Sequence, residues 1–515
     1  MKQFIATCLG LALAGFWSGA RAETAQGQLE LQWGDPVPVH GKALSPSKFV
    51  ATLVGDDGSR RALDPVQAKR AAGDLYALAN RRVAVEFSPA KRGGLATIVA
   101  IVPADRLHLP GLSRALLMPK AVLGNTRWVT IACKFSDIVE EQEPVSFFDG
   151  QYGLDPGQLG HYWKEVSYNK INLTGSRAYG WFTLPQPRSF YVTATDGKDK
   201  ANLNQLFDDC TAAANPTVNF NGAQGINMMF NGDLDGFAWG GSRGATLDGE
   251  NKTWSTTWNP PWSFSNLAPL AHEMGHGYGL PHSNNSDGDD DTYDNPWDVM
   301  SDGWSNAVEN ATYGSLPKHI NVRQRDRLGW IDAARKLTIR SGAAAKNVSL
   351  ERASLAVSNN WQMIVLQLAA ADSKGKVAYT VEARGRTGSY EAELAGAAVI
   401  IHGIGADGVA YSVDAAVPPA DRSNNEGSMF KVGEAWISPD GLQRVKVESA
   451  TANGFIVTIG WPRETGGNQR PRSRPNAVSA ASRQPAKETS RRLEPDCPGP
   501  MPVRCRPASR DAPEQ

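Results

Sequence analysis

The sequence predicts a multidomain α+β protein: an α/β domain over about 124–335, a small mixed N-terminal domain at 23–120 before it, and a β-sandwich-like domain at 336–461 after it. Three observations predict this. A chain of 515 residues is too long for one hydrophobic core. Strand and helix patterns alternate through the middle of the chain, as in α/β domains. Beyond about residue 336 only short, turn-separated strand patterns remain, the spacing of a sandwich.

The first 22 residues read as an export signal. Lys2 gives a positive start, an apolar run extends from Phe4 to Phe16, and Ala20-Arg21-Ala22 is a small-x-small cleavage pattern. The run is too short to be a membrane anchor, and no later stretch is long and apolar enough to span a bilayer. The expected location is therefore extracellular. Removal of the signal takes Cys8 away and leaves Cys133, Cys210, Cys497 and Cys505. An even count in an exported chain fits two disulfides, and proximity pairs Cys133 with Cys210 and Cys497 with Cys505. Free buried thiols are the competing reading.

In the N-terminal region, spans 48–54, 83–87 and 96–102 are rich in Val and Ile and read as strands, with a helix over 65–82 between them. This segment fits a propeptide or an accessory module. It contains no cysteine, so a cysteine-based latency switch is excluded.

In the central region, 129–135 reads as a strand. Asp155 can cap a helix with Pro156 at its first position. Leu159, Tyr162, Trp163 and Val166 then form one apolar face, as do Leu203, Leu206, Phe207 and Cys210 in a later helix. Span 226–230 is a short buried-type strand. Gly236-Phe237-Ala238-Trp239-Gly240-Gly241 reads either as an edge that offers backbone hydrogen bonds to an extended peptide or as a Gly-rich turn. In the last region, spans 337–339, 361–368, 377–383, 398–402, 444–448 and 455–461 are strand-like. Residues 462–515 form a Pro/Arg-rich tail with too few large apolar residues to fold.

The chemistry concentrates at His272-Glu273-Met274-Gly275-His276-Gly277-Tyr278-Gly279-Leu280-Pro281-His282. On a helix, His272 and His276 share one face about one turn apart and can take two corners of a tetrahedral zinc. Gly279 lets the chain leave the helix with positive φ, so that His282 can return as third ligand. The fourth corner then stays open, as in catalytic sites, and Glu273 can act as base on a zinc-bound water. Leu267, Leu270, Ala271 and Met274 supply the helix with packing surface, and Ser265 or Asn266 could cap it. The competing reading is a helix with satisfied histidines. Only eight His occur in the chain and three stand in this motif, a pattern expected by chance on the order of once in 10⁵ such chains.

Trp297-Asp298-Val299-Met300-Ser301-Asp302-Gly303 follows. The long histidine motif with a Met in a later turn resembles the metzincin zinc peptidases, and the chain looks most like their gametolysin-like and immune-inhibitor-A-like secreted members. Tyr162 to Tyr168, Leu280-Pro281-His282 with Asp298-Val299-Met300, and Arg323 to Trp330 carry the likeness. It covers 124–335 well, 336–461 loosely, and neither 23–120 nor the tail. The resemblance implies a metzincin-like α/β catalytic domain, one catalytic Zn²⁺, Glu273 as catalytic residue, and Met300 in the turn beneath the metal. Immune-inhibitor-A-like members usually lack the third histidine, which here is His282. Asp302 stands where astacin-like and serralysin-like members carry a Tyr, so no tyrosine ligand is implied.

The expected activity is zinc-dependent hydrolysis of peptide bonds in extracellular proteins, with protein or peptide substrates. The alternative is a secreted protein that attaches to surfaces or glycans through its β-rich domain and keeps a structural or vestigial zinc site. The intact Glu273 argues against it, since a structural site needs no base. Lys+Arg equals Asp+Glu, so no global field attracts nucleic acid. Asp287-Gly288-Asp289-Asp290-Asp291, with Asp294 beyond, would suit a hard cation such as Ca²⁺, but lacks EF-hand spacing, and a solvated acidic loop is the simpler reading. Asp233 and Asp235 carry the same ambiguity. His161, His319 and His402 show no ligand spacing and read as structural or surface residues.

Overall fold

Leu29, Leu31 and Trp33 are buried at alternate positions of β1 (Glu23–Pro36), a strand that continues into the centre of the molecule. The computed structural model describes residues 23–37, 46–88, 96–106, 119–195, 197–289, 291–416 and 426–461. The expected signal at 1–22, the tail at 462–515, and Cys8, Cys497 and Cys505 lie outside the described residues.

The main sheet has ten strands. After β1 come β2 (Lys48–Val54), β3 (Arg60–Leu63), β4 (Arg82–Phe87) and β5 (Ile98–Pro103). They are followed by β6 (Trp128–Lys134), β7 (Arg177–Thr183), β8 (Gly225–Phe230), β9 (Phe237–Leu247) and β10 (Glu250–Asn259). The order is β3-β2-β1-β9-β10-β8-β6-β7, with β4 beside the first half of β1 and β5 outside β4. Strands β7, β6, β8 and β10 are parallel, while β9 is antiparallel to β10 and to β1. The hydrogen-bonded sheet therefore runs without a break from the N-terminal strands into the central ones.

Of the parallel strands, β6 and β8 are buried on both faces, while β7 at the rim is half exposed. Val129, Ile131 and Cys133 of β6 face one core with Leu206, Phe207 and Cys210 of α3 (Leu203–Ala214). Trp128 and Ala132 face the other core, with Trp163 of α2 (Leu159–Val166) and Leu270 and Met274 of α4 (Leu267–Gly277). Cys133 and Cys210 are disulfide-bonded, which ties β6 to α3 as the spacing suggested.

Three local expectations are corrected. The helix over 65–82 stops early: α1 is Pro65–Ala72, ended by Gly73 at φ 75°, and Arg82 already belongs to β4. Asp155 and Pro156 do not open α2, which begins at Leu159. Gln158 precedes it and turns its side chain back to accept from the Asp155 N–H at 2.8 Å. The Gly-rich stretch at 236–241 is neither a turn nor a free edge, because β9 is a regular strand with β10 on one side and β1 on the other.

Residues 336–461, joined by the short strand Asn284–Asn285, form two packed antiparallel-rich sheets. The larger runs in the order Asn284–Asn285, Ala410–Ser412, Ala398–Gly405, Lys376–Arg384, Met363–Gln367, Lys336–Arg340. The smaller holds Lys346–Glu351, Gly454–Ile459, Arg444–Thr451 and Ala435–Ile437. Val381 and Ile401 from the first meet Val348, Val447 and Val457 from the second in one core, which is a sandwich. Its outermost strand, Asn284–Asn285, lies just after His282, so the sandwich begins beside the candidate site. The whole is a mixed α/β molecule with several sheets. Among the described residues no helix is long and apolar enough to cross a membrane.

Candidate metal centre

Helix α4 is buried along its entire length. That burial fixes its side chains against β9 and β10 above and the apolar core below. Asn266 sits at its N-cap but does not cap it; the Asn266 side chain instead accepts from Ser315 N–H at 3.1 Å. At the other end Gly279, at φ 90°, turns the chain off the helix. The Leu280 N–H donates to Gly275 O at 3.0 Å, which closes the turn and sends Pro281 and His282 back toward the helix.

The three histidines meet. His276 Nε2 lies 3.1 Å from His272 Nε2 and 3.2 Å from His282 Nε2. For two of the rings the other nitrogen fixes the tautomer. His272 Nδ1 donates to Val299 O at 2.6 Å, and His276 Nδ1 donates to Leu280 O at 2.7 Å. The proton is thus on Nδ1, and the Nε2 lone pairs point at a common centre. Lone pairs in that arrangement repel unless a cation lies between them, so the donor set fits a metal ion held by neutral imidazoles. Burial favours the neutral form of two rings, pushing His276 down to about 3 and lowering His282; it acts on His272 too, but there the Asp35 charge outweighs it and raises the ring.

A fourth group stands at the same centre. Asp35, near the end of β1, places Oδ1 2.7 Å from His282 Nε2, with Oδ2 3.4 and 3.5 Å from His276 and His272. Oδ2 is buried and has no hydrogen-bond partner. Burial would raise this carboxyl, but His282 and His272 hold it well below the ordinary carboxylate range. Tyr293 donates its hydroxyl to Asp35 Oδ1 and lies against the His282 ring. Asp35, His272, His276 and His282 together form a group able to hold a metal ion.

Glu273 is buried next to this group, and its Oε2 finds no hydrogen-bond donor. Burial first, and the Asp35 charge second, push its carboxyl well above the usual range. Met300 is fully buried against α4, where a Cβ added at Gly275 would lie 2.4 Å from its Sδ. The turn that carries it is held by Asp298, which accepts from Met300 N–H at 2.9 Å, from Ser283 Oγ at 3.0 Å, and from Asn321. All five sequence-predicted site residues are thus gathered around α4.

Sequence reasoning missed Asp35 and Tyr293. Asp35 is 247 positions from His282 and belongs to no local pattern. Among the described residues the other histidines take structural partners: His161 with the Tyr390 hydroxyl at 3.0 Å, His319 with Glu165 at 2.9 Å, and His402 with Asn295 at 3.2 Å. Asp235 pairs with Lys48 at 2.8 Å and accepts from Trp239 Nε1. In the acidic loop, Asp287, Asp289 and Asp294 bring carboxylates near one another, with only Asp294 buried. No family model matches the chain, and no curated protein matches it.

Proposed function

We propose that the chain is an exported zinc-dependent endopeptidase of the metzincin type that cleaves peptide bonds of extracellular proteins. The single observation that carries this reading is the convergence of three histidine Nε2 atoms beside a further buried carboxyl group, that of Glu273. His272, His276 and His282 would hold the ion. Zinc bound there supplies an acidified water and polarises a scissile carbonyl. Glu273 accepts the proton of the attacking water and later passes it to the leaving amine. A high proton affinity, as burial gives it, suits a group that must hold a proton between those two transfers. Met300 supports the helix from below, so that both histidines keep their rotamers.

The test is Glu273→Gln. The variant should fold and bind zinc as the parent does, yet hydrolyse a mixed peptide library at least roughly 10²-fold more slowly, the lower end of what a positioned acid–base group contributes. Mass spectrometry of the products, with and without a zinc chelator, reads the result. Equal cleavage by parent and variant would remove Glu273 from the mechanism.

A further inference from the structure

We propose that the β-sandwich is a working part of the metal centre: its residues Glu382 and His402 are positioning residues that hold the third ligand, His282, through two buried hydrogen-bond relays, one to each flank of that histidine. The inference goes beyond the peptidase reading and rests only on the three-histidine site, not on the reaction proposed there.

His282 differs from the other two ligands. His272 and His276 stand on α4, and each is oriented by an Nδ1–H bond to a backbone carbonyl. Among the described residues the His282 Nδ1 makes no such bond, and Tyr293 only lies against the ring. A ligand ring without that second bond takes its direction from the backbone that carries it. Here the backbone is gripped on both sides. Before the ligand, the Pro281 carbonyl accepts from Gln324 Nε2 at 2.8 Å. Gln324 belongs to the helix Val322–Arg327, and the Val322 N–H donates to Glu382 Oε2 at 3.2 Å. After the ligand, Ser283 Oγ accepts from Asn295 Nδ2 at 3.2 Å, and the same amide group donates to His402 Nε2 at 3.2 Å. The Asn295 side chain is held in this sense because its Oδ1 accepts from Trp297 N–H at 3.1 Å.

Both relays end on one pair of neighbouring sandwich strands. Glu382 lies in Lys376–Arg384 and His402 in Ala398–Gly405, and His402 Nδ1 faces Glu382 Oε1 at 3.7 Å. Both side chains are fully buried. Burial pushes the His402 ring down to about 3, so the ring stays neutral and Nε2 keeps the lone pair that Asn295 needs. Two further ties fasten the same junction. Arg384 Nη1 donates to Trp297 O at 2.5 Å, and the strand Asn284–Asn285, just beyond His282, pairs in parallel with Tyr411 and Ser412. Buried polar groups lose more when left unpaired than they gain when paired, so these relays tolerate little movement. The direction of His282 is thus set by the sandwich as well as by the turn at Gly279. A chain ending at residue 335 would keep all three histidines, but only two of them with a fixed direction.

The experiment uses the full chain as the parent and as His402→Leu, His402→Gln, Gln324→Met and Val457→Ala forms. His402→Leu removes the acceptor for Asn295, whereas His402→Gln keeps one at similar reach. Gln324→Met removes only the donor to Pro281 O, in a side chain of similar length, and carries the test if His402→Leu does not fold. Val457→Ala, in the sandwich core and in neither relay, controls for loss of stability alone. Each form is titrated with Co²⁺ for visible absorption, and with Zn²⁺ against a chromophoric chelator. His402→Leu and Gln324→Met should shift the cobalt bands and weaken zinc binding about 10- to 100-fold, the usual effect of losing a group that orients a metal ligand. His402→Gln should return both readouts close to the parent's, and Val457→Ala should leave both unchanged. Parent-like spectra and affinities in both His402→Leu and Gln324→Met would overturn the inference. So would a Val457→Ala change as large as theirs, or a His402→Gln form no closer to the parent than His402→Leu. A parent that binds neither metal would remove the site and both readings with it. Spectra that respond to the relay variants, with no peptide hydrolysis from any form, would sink the peptidase reading and leave the role of the sandwich standing.

Discussion

The Ser283 N–H donates to Met300 O at 3.1 Å, which fastens the residue after the third histidine to the turn beneath the helix. Asp298 completes the joint by accepting from both residues, and the Val299 carbonyl between them orients His272. The first and third histidines are therefore oriented through one small turn, and the stretch from Trp297 to Gly303 works as a bracket for the metal ligands.

Metal content follows from this arrangement. The parent should carry about one zinc per chain. Single replacement of His272, His276 or His282 by Ala should abolish stoichiometric binding, as read by elemental analysis after gel filtration. Full zinc in all three variants would overturn the ligand assignment.

Gly275→Ala tests the support beneath the helix. The added Cβ would stand 2.4 Å from Met300 Sδ and 3.1 Å from its methyl, inside a packed core. The turn must shift, and overpacking of this kind costs about 1–3 kcal/mol. Denaturant unfolding should show the loss. Weaker zinc retention should accompany it, since the same turn orients His272.

The Cys133–Cys210 bond closes a loop of 77 residues between β6 and α3. Replacing both cysteines by Ala should lower stability by roughly 4 kcal/mol through the unfolded chain's regained freedom. Non-reducing peptide mapping of the parent should recover the linked pair, and unfolding of the double variant should show the drop.

Asp294 gives a pH dependence with a definite sign. Burial, aided by the neighbouring Asp287, Asp291 and Asp289, raises its carboxyl from 3.8 to about 8. Between those values the folded state holds a proton that the unfolded state has released, so this group's contribution to stability falls as pH rises from about 4 to about 8. Asp294→Asn keeps an oxygen for the Asn285 N–H, which Asp294 accepts at 2.7 Å, and removes the titration. With a chelator present, the variant should gain about 1 kcal/mol or more over the parent across that range. Millimolar Ca²⁺ closing the gap at pH 8 would mark the loop as a calcium site.

What the sequence disclosed was what is local. The spacing of His272, His276 and His282, the exit at Gly279 and the turn at Met300 all lie within 29 positions, and helix geometry converts such spacing into a shared face. The apolar faces of α2 and α3 followed for the same reason. Element ends were less legible, because capping is a competition among neighbours. Asp155 and Asn266 both look like caps, but α2 does not begin until Leu159, and the Asn266 oxygen is taken by the Ser315 N–H. Gly73, which ends α1, was a visible stop signal that the longer helix over 65–82 overlooked. Asp35 was beyond reach. A lone aspartate ahead of a proline has no periodicity to betray it, and only the pairing of β1 with β9, set by tertiary register, delivers it to the metal site.

The continuous ten-stranded sheet has a consequence for how the central region survives without its N-terminal strands. While β1 is in place, the 237–241 stretch of β9 is paired with β1, and its residues 239–241 with β10 as well. Without β1 it becomes a rim of unpaired amides and carbonyls beside Phe237 and Trp239, the kind of surface that recruits other chains into aggregates. The strand that pairs with β9 therefore also shields a sticky border during synthesis. A chain started at residue 119 should express poorly and precipitate, even with His272, His276 and His282 intact.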